Sequence, residues 1–248
     1  MYNKFGQFYN GGWHQSFDKS TYEVINPCNE EVIGNVSNAK PEDVDKALKS
    51  AKMGFDHWKK TTPWERSKVI RKAADLIREN KEIIAKWISL EVGKPLKESL
   101  AEVEGSAEIF EWNAEETKRI FGQNIESRFP STRMNVYYQP IGVVAALVPW
   151  NFPCILASRK ISTALAAGCS VICKPDTITP GSVMSLVDII NKAGFPDGAI
   201  NLLSGDPAKV SEQLISSDIV KKVSITGSTR VGKIILKQAA DKVQRVTM

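Results

Sequence analysis

The chain has 248 residues, 42% of them hydrophobic and 25% charged, with a formal net charge of +5. That length buries a sizeable core, and the composition excludes a disordered chain. No apolar stretch approaches the roughly eighteen residues that cross a bilayer and the first residues lack the build of a signal peptide, which implies a cytoplasmic protein without a membrane partner.

Lysines and arginines alternate with acids instead of running together, so the positive balance reads as solvated helix faces and excludes a nucleic-acid surface. Cys28, Cys154, Cys169 and Cys173 form no CxxC pair, and His14 and His57 stand alone, so no metal is expected. Cys169 and Cys173 read as reduced packing residues.

Residues 21–26 and 31–36 are short β-like runs around Pro27-Cys28-Asn29-Glu30, a hairpin pattern. Pro41 suits the first turn of a helix whose apolar stripe is Val44, Ala47, Leu48, Ala51 and Phe55. The next helix opens with a capping box, Thr62 and Glu65, with Pro63 at its first position, and buries Val69, Ile70, Ala73, Leu76 and Ile77. Residues 81–92 form a third, closed by Gly93 and Pro95, and residues 96–120 a longer fourth. Glu98, Glu102, Glu104, Glu108 and Glu111 lie along it without a spacing that singles out a carboxylate pair, and read as a wet face. Between 122 and 139 the helical period is lost. Residues 133–138, RMNVYY, alternate as a strand of an arm suited to pairing between subunits.

Residues 141–148 are an unbroken apolar run between breakers, as in a central strand buried on both faces. A helical pattern over 155–167 stops at Gly168, and residues 170–173 are a second apolar run ending in Lys174-Pro175. Strand, helix and strand make one βαβ crossover. Further strands over 200–203 and 222–226 alternate with helices over 182–193, 207–216 and 229–240. The recurrence predicts an α/β fold with a doubly wound, Rossmann-like parallel sheet, whose ligands lie beyond the carboxyl ends of the strands. Residues 149–153 and 174–177 occupy such ends.

Gly227-Ser228-Thr229-Arg230-Val231-Gly232-Lys233 lies where a strand hands over to a helix, so its amides and the helix dipole suit an anion. It matches neither the GxGxxG fingerprint nor the P-loop, because Ile234 stands where the P-loop hydroxyl would hold Mg²⁺. A structural turn is the other reading. Lys174 ends a buried strand, where an unpaired ammonium is costly unless it faces solvent or a ligand. Asn151 sits in the stiff loop Pro149-Trp150-Asn151-Phe152-Pro153, and a rigid amide donor beside a cleft is what a developing oxyanion requires.

PWNFP (149–153), ALAAGC with VICKP (164–175), ITPGS (178–182), AGFPDGAINLLSG (193–205) and ITGSTRVGK (225–233) stand together in the order and spacing of the aldehyde dehydrogenase superfamily, which the chain resembles over nearly its whole length. EVGKPLKES (91–99) and EWNAEETKRIFG (111–122) resemble its succinate-semialdehyde members most. The resemblance implies NAD or NADP as cofactor and oxidation of an aldehyde, such as succinate semialdehyde, to the acid through a thiohemiacetal and a thioester. It makes Asn151 the oxyanion donor and sets Trp150 beside Pro149 in the nicotinamide cleft. Lys174 and Thr177 would hold the adenosine ribose, with Pro175, Asp176 and Gly205 among the cofactor positions, and Gly227 and Ser228 would meet the pyrophosphate. Arg159 falls where a guanidinium takes the substrate's distal carboxylate, the alternative being a helix-face arginine paired with a local acid.

Thr177 stands where NAD-preferring members carry a glutamate, so NADP is tolerated, although Asp176 beside it acts the other way. By the same resemblance residues 1–122 are the hairpin and helices of the cofactor-binding domain, 123–139 oligomerisation-arm strands of a homodimer or homotetramer, and 140–248 the nucleotide-binding core. The sequence stops at Thr247-Met248, before the family's Glu-Leu-Gly-Gly segment, which implies that the general-base glutamate and the cysteine-bearing catalytic domain are absent and that this piece alone is inactive. Cys154, with no base at hand, does not replace that thiol. The second reading is a non-catalytic dinucleotide-binding or pairing module.

Overall fold

A computed structural model of the chain describes residues 2–248. The chain begins with a hairpin, β1 (Gln7–Tyr9) and β2 (Gly12–His14), that the hydrophobic pattern does not announce. Asn10 and Gly11 between them take φ of +50° and +73°, the pair of positive angles a tight hairpin turn of right-handed twist demands. The next hairpin, β3 (Thr21–Ile25) and β4 (Val32–Ser37), follows the expected bounds closely.

Four helices follow: α1 (Pro41–Trp58), α2 (Pro63–Glu79), α3 (Lys81–Val92) and α4 (Leu96–Thr117). Thr62 and Glu65 cap α2 reciprocally as their spacing predicts, a device typically stabilising by about 1 kcal/mol. β5 (Gln123–Glu126) and β6 (Arg133–Val136) pair antiparallel as a separate ribbon with mostly exposed side chains. The expected strand thus stops at Val136, leaving Tyr137 and Tyr138 exposed beyond it.

The alternating half comprises β7 (Val143–Leu147), α5 (Pro153–Ala166), β8 (Ser170–Lys174), α6 (Pro180–Ile190), β9 (Ile200–Leu202), α7 (Pro207–Ser216), β10 (Val220–Ile225), α8 (Thr229–Ala240) and β11 (Arg245–Thr247). At the end of α5, Gly168 has φ +79°, its N–H donates to Leu165 O, and Cys169 N–H donates to Ala164 O. These two bonds satisfy carbonyls that a helix end otherwise orphans, which is why the helical pattern stops at a glycine.

The sheet order is β11-β10-β7-β8-β9-β1-β2. β11 through β9 run parallel, and β1 joins the edge antiparallel to β9. The doubly wound parallel sheet is as expected, extended by two antiparallel strands from the amino terminus.

Alternate residues of β7 face opposite layers, which explains its unbroken apolar run. Val143, Ala145 and Leu147 pack with α1, α7 and α8 residues such as Leu48, Leu214 and Ile235. Val144, Ala146 and Val148 pack with Ile70, Phe110 and Ile161 from α2, α4 and α5. Helix α1 lies so close to the turn before β9 that a Cβ on Gly54 would stand 2.0 Å from the Gly198 carbonyl carbon.

Candidate functional site

Strands β7, β8 and β10 are neighbours in the sheet and end at the same edge, where the chain leaves each for a helix. Between their ends lies a cleft of about 320 Å³ lined by Pro149, Trp150, Lys174, Asp176, Gly227 and Ser228, together with Leu147, Thr226 and Val231. Six of the sequence-derived site residues therefore come together. Val148, Pro207, Ser211, Ile225 and Ile235 complete the wall and, with Leu147 and Thr226, were not singled out as site residues. Strand-end and helix-start positions facing a switch point are the signal that marks them.

Lys174 is 4% exposed and its ammonium has no hydrogen-bond partner among the described residues. Burial lowers its pKa to about 8, with the carboxylates of Asp176 and Asp206 acting in the opposite direction. A cation on a buried side chain at a cleft wall, with no protein partner, is chemically suited to an anion or a hydroxyl. At Gly227 an added Cβ would meet nothing nearer than Ile225 side-chain carbons at 3.9 Å, so a ligand can approach this backbone closely. The Ser228 hydroxyl caps α8 by accepting from Val231 N–H, and the rest of that exposed helix start opens on the cleft.

Asn151 is exposed beside the cleft, and its side chain has no hydrogen-bond partner among the described residues. The chain around it is held from below. Glu102 Oε1 accepts from the amides of Cys154 at 2.9 Å and Ile155 at 3.3 Å, in the first turn of α5, whose N-cap Phe152 offers no capping side chain. Lys94 Nζ lies 2.7 Å from Glu102 Oε2, donates to Asn151 O at 3.1 Å and sits 3.9 Å from the centre of the Phe152 ring.

This corrects the reading of the α4 glutamates as one wet face. Glu102 lies on the inward stripe with Ser99, Val103 and Ser106, its side chain only 1% exposed. Glu104 and Glu111 do face out, paired with Arg78, and Glu98 and Glu108 are exposed.

A second carboxylate plays the same part at α6. Glu91 is fully buried and accepts from Gly181 N–H at 2.6 Å, Ser182 N–H at 2.7 Å, the Ser182 hydroxyl at 2.5 Å and the Tyr2 hydroxyl. Burial outweighs these donors and raises its pKa to about 7. Cys154 is fully buried, with its thiol against Ser182 O, and burial pushes that thiol well above its ordinary pKa. It has neither the exposure nor the thiolate character of a nucleophile. Cys169 and Cys173 are buried and unbridged, as expected.

The remaining candidates lie apart from the cleft wall. Thr177 is half-buried just past Asp176, and Pro175 is buried behind them. A Cβ on Gly205 would stand 2.9 Å from Ala39 N, so close packing accounts for that glycine. Arg159 is exposed on α5 and lines a different hollow, with Ile141, Lys160, Thr163 and Lys222. It forms no ion pair among the described residues, so the local-acid alternative is not seen. Lys160 beside it donates to Thr226 Oγ1 at 2.8 Å, and burial lowers its pKa. Among the described residues no group of His, Cys, Asp or Glu could hold a metal ion, and no helix is long and apolar enough to cross a membrane.

Comparison with known proteins agrees with this geometry. Residues 13–248 match the model of the aldehyde dehydrogenase family. The chain is 42% identical over 238 residues to the mitochondrial succinate-semialdehyde dehydrogenase of Oryza sativa subsp. japonica, covering 96% of this chain and 45% of that protein. It is 36% identical over 239 residues to the NADP(+) succinate-semialdehyde dehydrogenase GabD of Escherichia coli K12, covering 96% of this chain and 50% of that one. A solved betaine aldehyde dehydrogenase from Staphylococcus aureus, in complex with NAD+, superposes with a TM-score of 0.95 at 36% identity, covering 98% of this chain and 50% of that structure. The chain spans about half the length of the curated relatives it matches. With its sheet, its strand-end cleft and these matches in agreement, the chain belongs to the aldehyde dehydrogenase family.

Proposed function

We propose that the chain is the dinucleotide-holding part of an NAD(P)-dependent aldehyde dehydrogenase acting on a carboxylated semialdehyde, succinate semialdehyde being the first candidate. The observation that carries this reading is that the buried Lys174, whose ammonium has no hydrogen-bond partner among the described residues, lines one cleft together with the open start of α8. A dinucleotide fits both: the α8 amides around Gly227 and Ser228 suit a pyrophosphate, and Lys174 suits ribose hydroxyls. The nicotinamide, when bound, supplies the hydride acceptor. Trp150 and Pro149 wall the cleft near Asn151, whose amide donates to the oxygen of the reacting carbonyl as charge develops there.

Asp176 and Thr177 together set the choice between NAD and NADP. Asp176 lines the cleft and repels a 2′-phosphate, whereas Thr177 adds no charge. The exposed, unpaired Arg159 takes the distal carboxylate of the aldehyde, a role suited to its bidentate fork. The exposed β5–β6 ribbon serves pairing between subunits.

Calorimetric titration of the chain with NAD+ and NADP+ tests the cofactor role, and absence of binding by both removes it. A protein continuing this chain to the family's full length should oxidise succinate semialdehyde. In that longer protein Arg159→Ala should raise KM about 10- to 100-fold for carboxylated aldehydes, as expected for loss of a charge-assisted pair, and leave uncharged aldehydes unaffected. Equal effects on both classes would remove the carboxylate assignment.

A further inference from the structure

We infer that Lys94 and Glu102 are positioning residues for Asn151, fixing the backbone from which its amide projects; this rests on the proposed role of Asn151. The Asn151 side chain touches no hydrogen-bonding group among the described residues, so its aim is set by its main chain alone. That main chain lies outside the sheet ladder: the last backbone bond on the strand side is Val148 N–H to Lys174 O, and the first on the helix side is Leu156 N–H to Phe152 O. The turn between them is held instead by two side chains, Lys94 from the connection between α3 and α4 and Glu102 from α4.

Lys94 grips the Asn151 carbonyl oxygen and the face of Phe152, while Glu102 grips the amides of Cys154 and Ile155, and the two are joined to each other at 2.7 Å. The clamp thus engages both sides of Pro153, whose fixed φ transmits the constraint through the turn. A joined lysine and glutamate at 11% and 1% side-chain exposure are a costly way to gain stability, since an apolar pair of equal volume often does as well. What an apolar pair cannot do is take hold of one carbonyl and two amides in fixed directions.

The test uses the protein continued to the family's full length. Lys94→Ala should lower kcat for the aldehyde by about 10- to 100-fold, a part of what losing an oxyanion donor costs. KM and the dissociation constant for NADP+ should change far less than kcat, because Lys174 and Ser228, which would hold the ribose and the pyrophosphate, are untouched. Lys94→Arg, which keeps the charge and the contact with the ring, should recover much of the rate. Glu102→Gln, which keeps an acceptor for the α5 amides but loses the ion pair, should fall between. An unchanged kcat overturns the inference, as does a parallel loss of kcat, cofactor affinity and melting temperature that Lys94→Arg fails to rescue. If the unsubstituted protein binds cofactor but oxidises no aldehyde, the functional reading fails first. Crystals of Lys94→Ala then decide the clamp alone: an Asn151 amide displaced by about 1 Å or more, the scale on which catalytic placement matters, sustains it, and an unmoved one overturns it.

Discussion

Helices α5 and α6 begin differently from α8, although all three start where a parallel strand ends. At α5 and α6 the free amides are met by carboxylates from distant helices, Glu102 and Glu91, both almost fully buried. At α8 they meet only the Ser228 hydroxyl and an exposed cleft wall. A helix start attracts negative charge wherever it lies. The fold supplies its own where the helix is sealed into the body and none where the strand ends rim a cleft. On the proposed function, an external anion is therefore directed to one helix start out of these three.

Removing an internal carboxyl group should have the largest effect. Glu91→Ala leaves the amides of Gly181 and Ser182 and the Tyr2 hydroxyl without their acceptor, and should lower unfolding free energy by about 3 kcal/mol at mildly acidic pH, read by urea melts. A loss under about 1 kcal/mol would mean that the buried groups find other partners. The pH dependence sharpens the point. Glu91 binds its proton more tightly folded, at about 7, than its ordinary value of 4.5 allows, so its contribution is complete below 4.5 and declines as pH rises to 7. Glu91→Gln should flatten that decline, and an unchanged slope would assign the proton elsewhere.

On the open side, Lys174→Met should weaken dinucleotide binding about 10- to 100-fold, the value of one or two charge-assisted bonds, without lowering the melting temperature. Removing a buried, unpartnered ammonium relieves a cost instead of adding one. Affinity in the unsubstituted chain should fall as pH rises through about 8, where Lys174 loses its charge, and the methionine variant should show no such fall. Titrations across that range check both.

The smallest effect belongs to the charged pairs on the outer face of α4. Arg71→Ala breaks contacts to Glu111 and Glu115, and with the arginine 40% exposed it should cost only about 0.5 kcal/mol, less at high salt. A cost matching that of Glu91→Ala would erase the distinction between buried and solvated carboxylates.

The βα alternation, the Gly168 stop and the strand-end positions of Trp150, Lys174 and Ser228 were legible because each depends on residues near in sequence. Apolar runs, caps and turn residues mark themselves. Glu91 and Glu102 do not. Their partners are backbone amides 90 and 52 residues away, and a backbone amide leaves no trace in the identity of its residue. Along α4, Glu102 follows the same pattern as Glu98 and Glu104, so only packing separates the buried acid from its solvated neighbours. The first hairpin was written in Asn10-Gly11, but its strands are three residues each, too short for alternation to register.

That hairpin also dictates an order of events. Phe8 pairs with Leu202, and Gln7 exchanges hydrogen bonds with Ser204 through both ends of its amide. Strand β1 is thus bonded to one that emerges nearly two hundred residues later. Throughout that interval Phe8 and Tyr9, both buried at the end, have only Trp13 and His14 of their own hairpin to lie against, and the far edge of the sheet closes late in folding because its loop is long to shut.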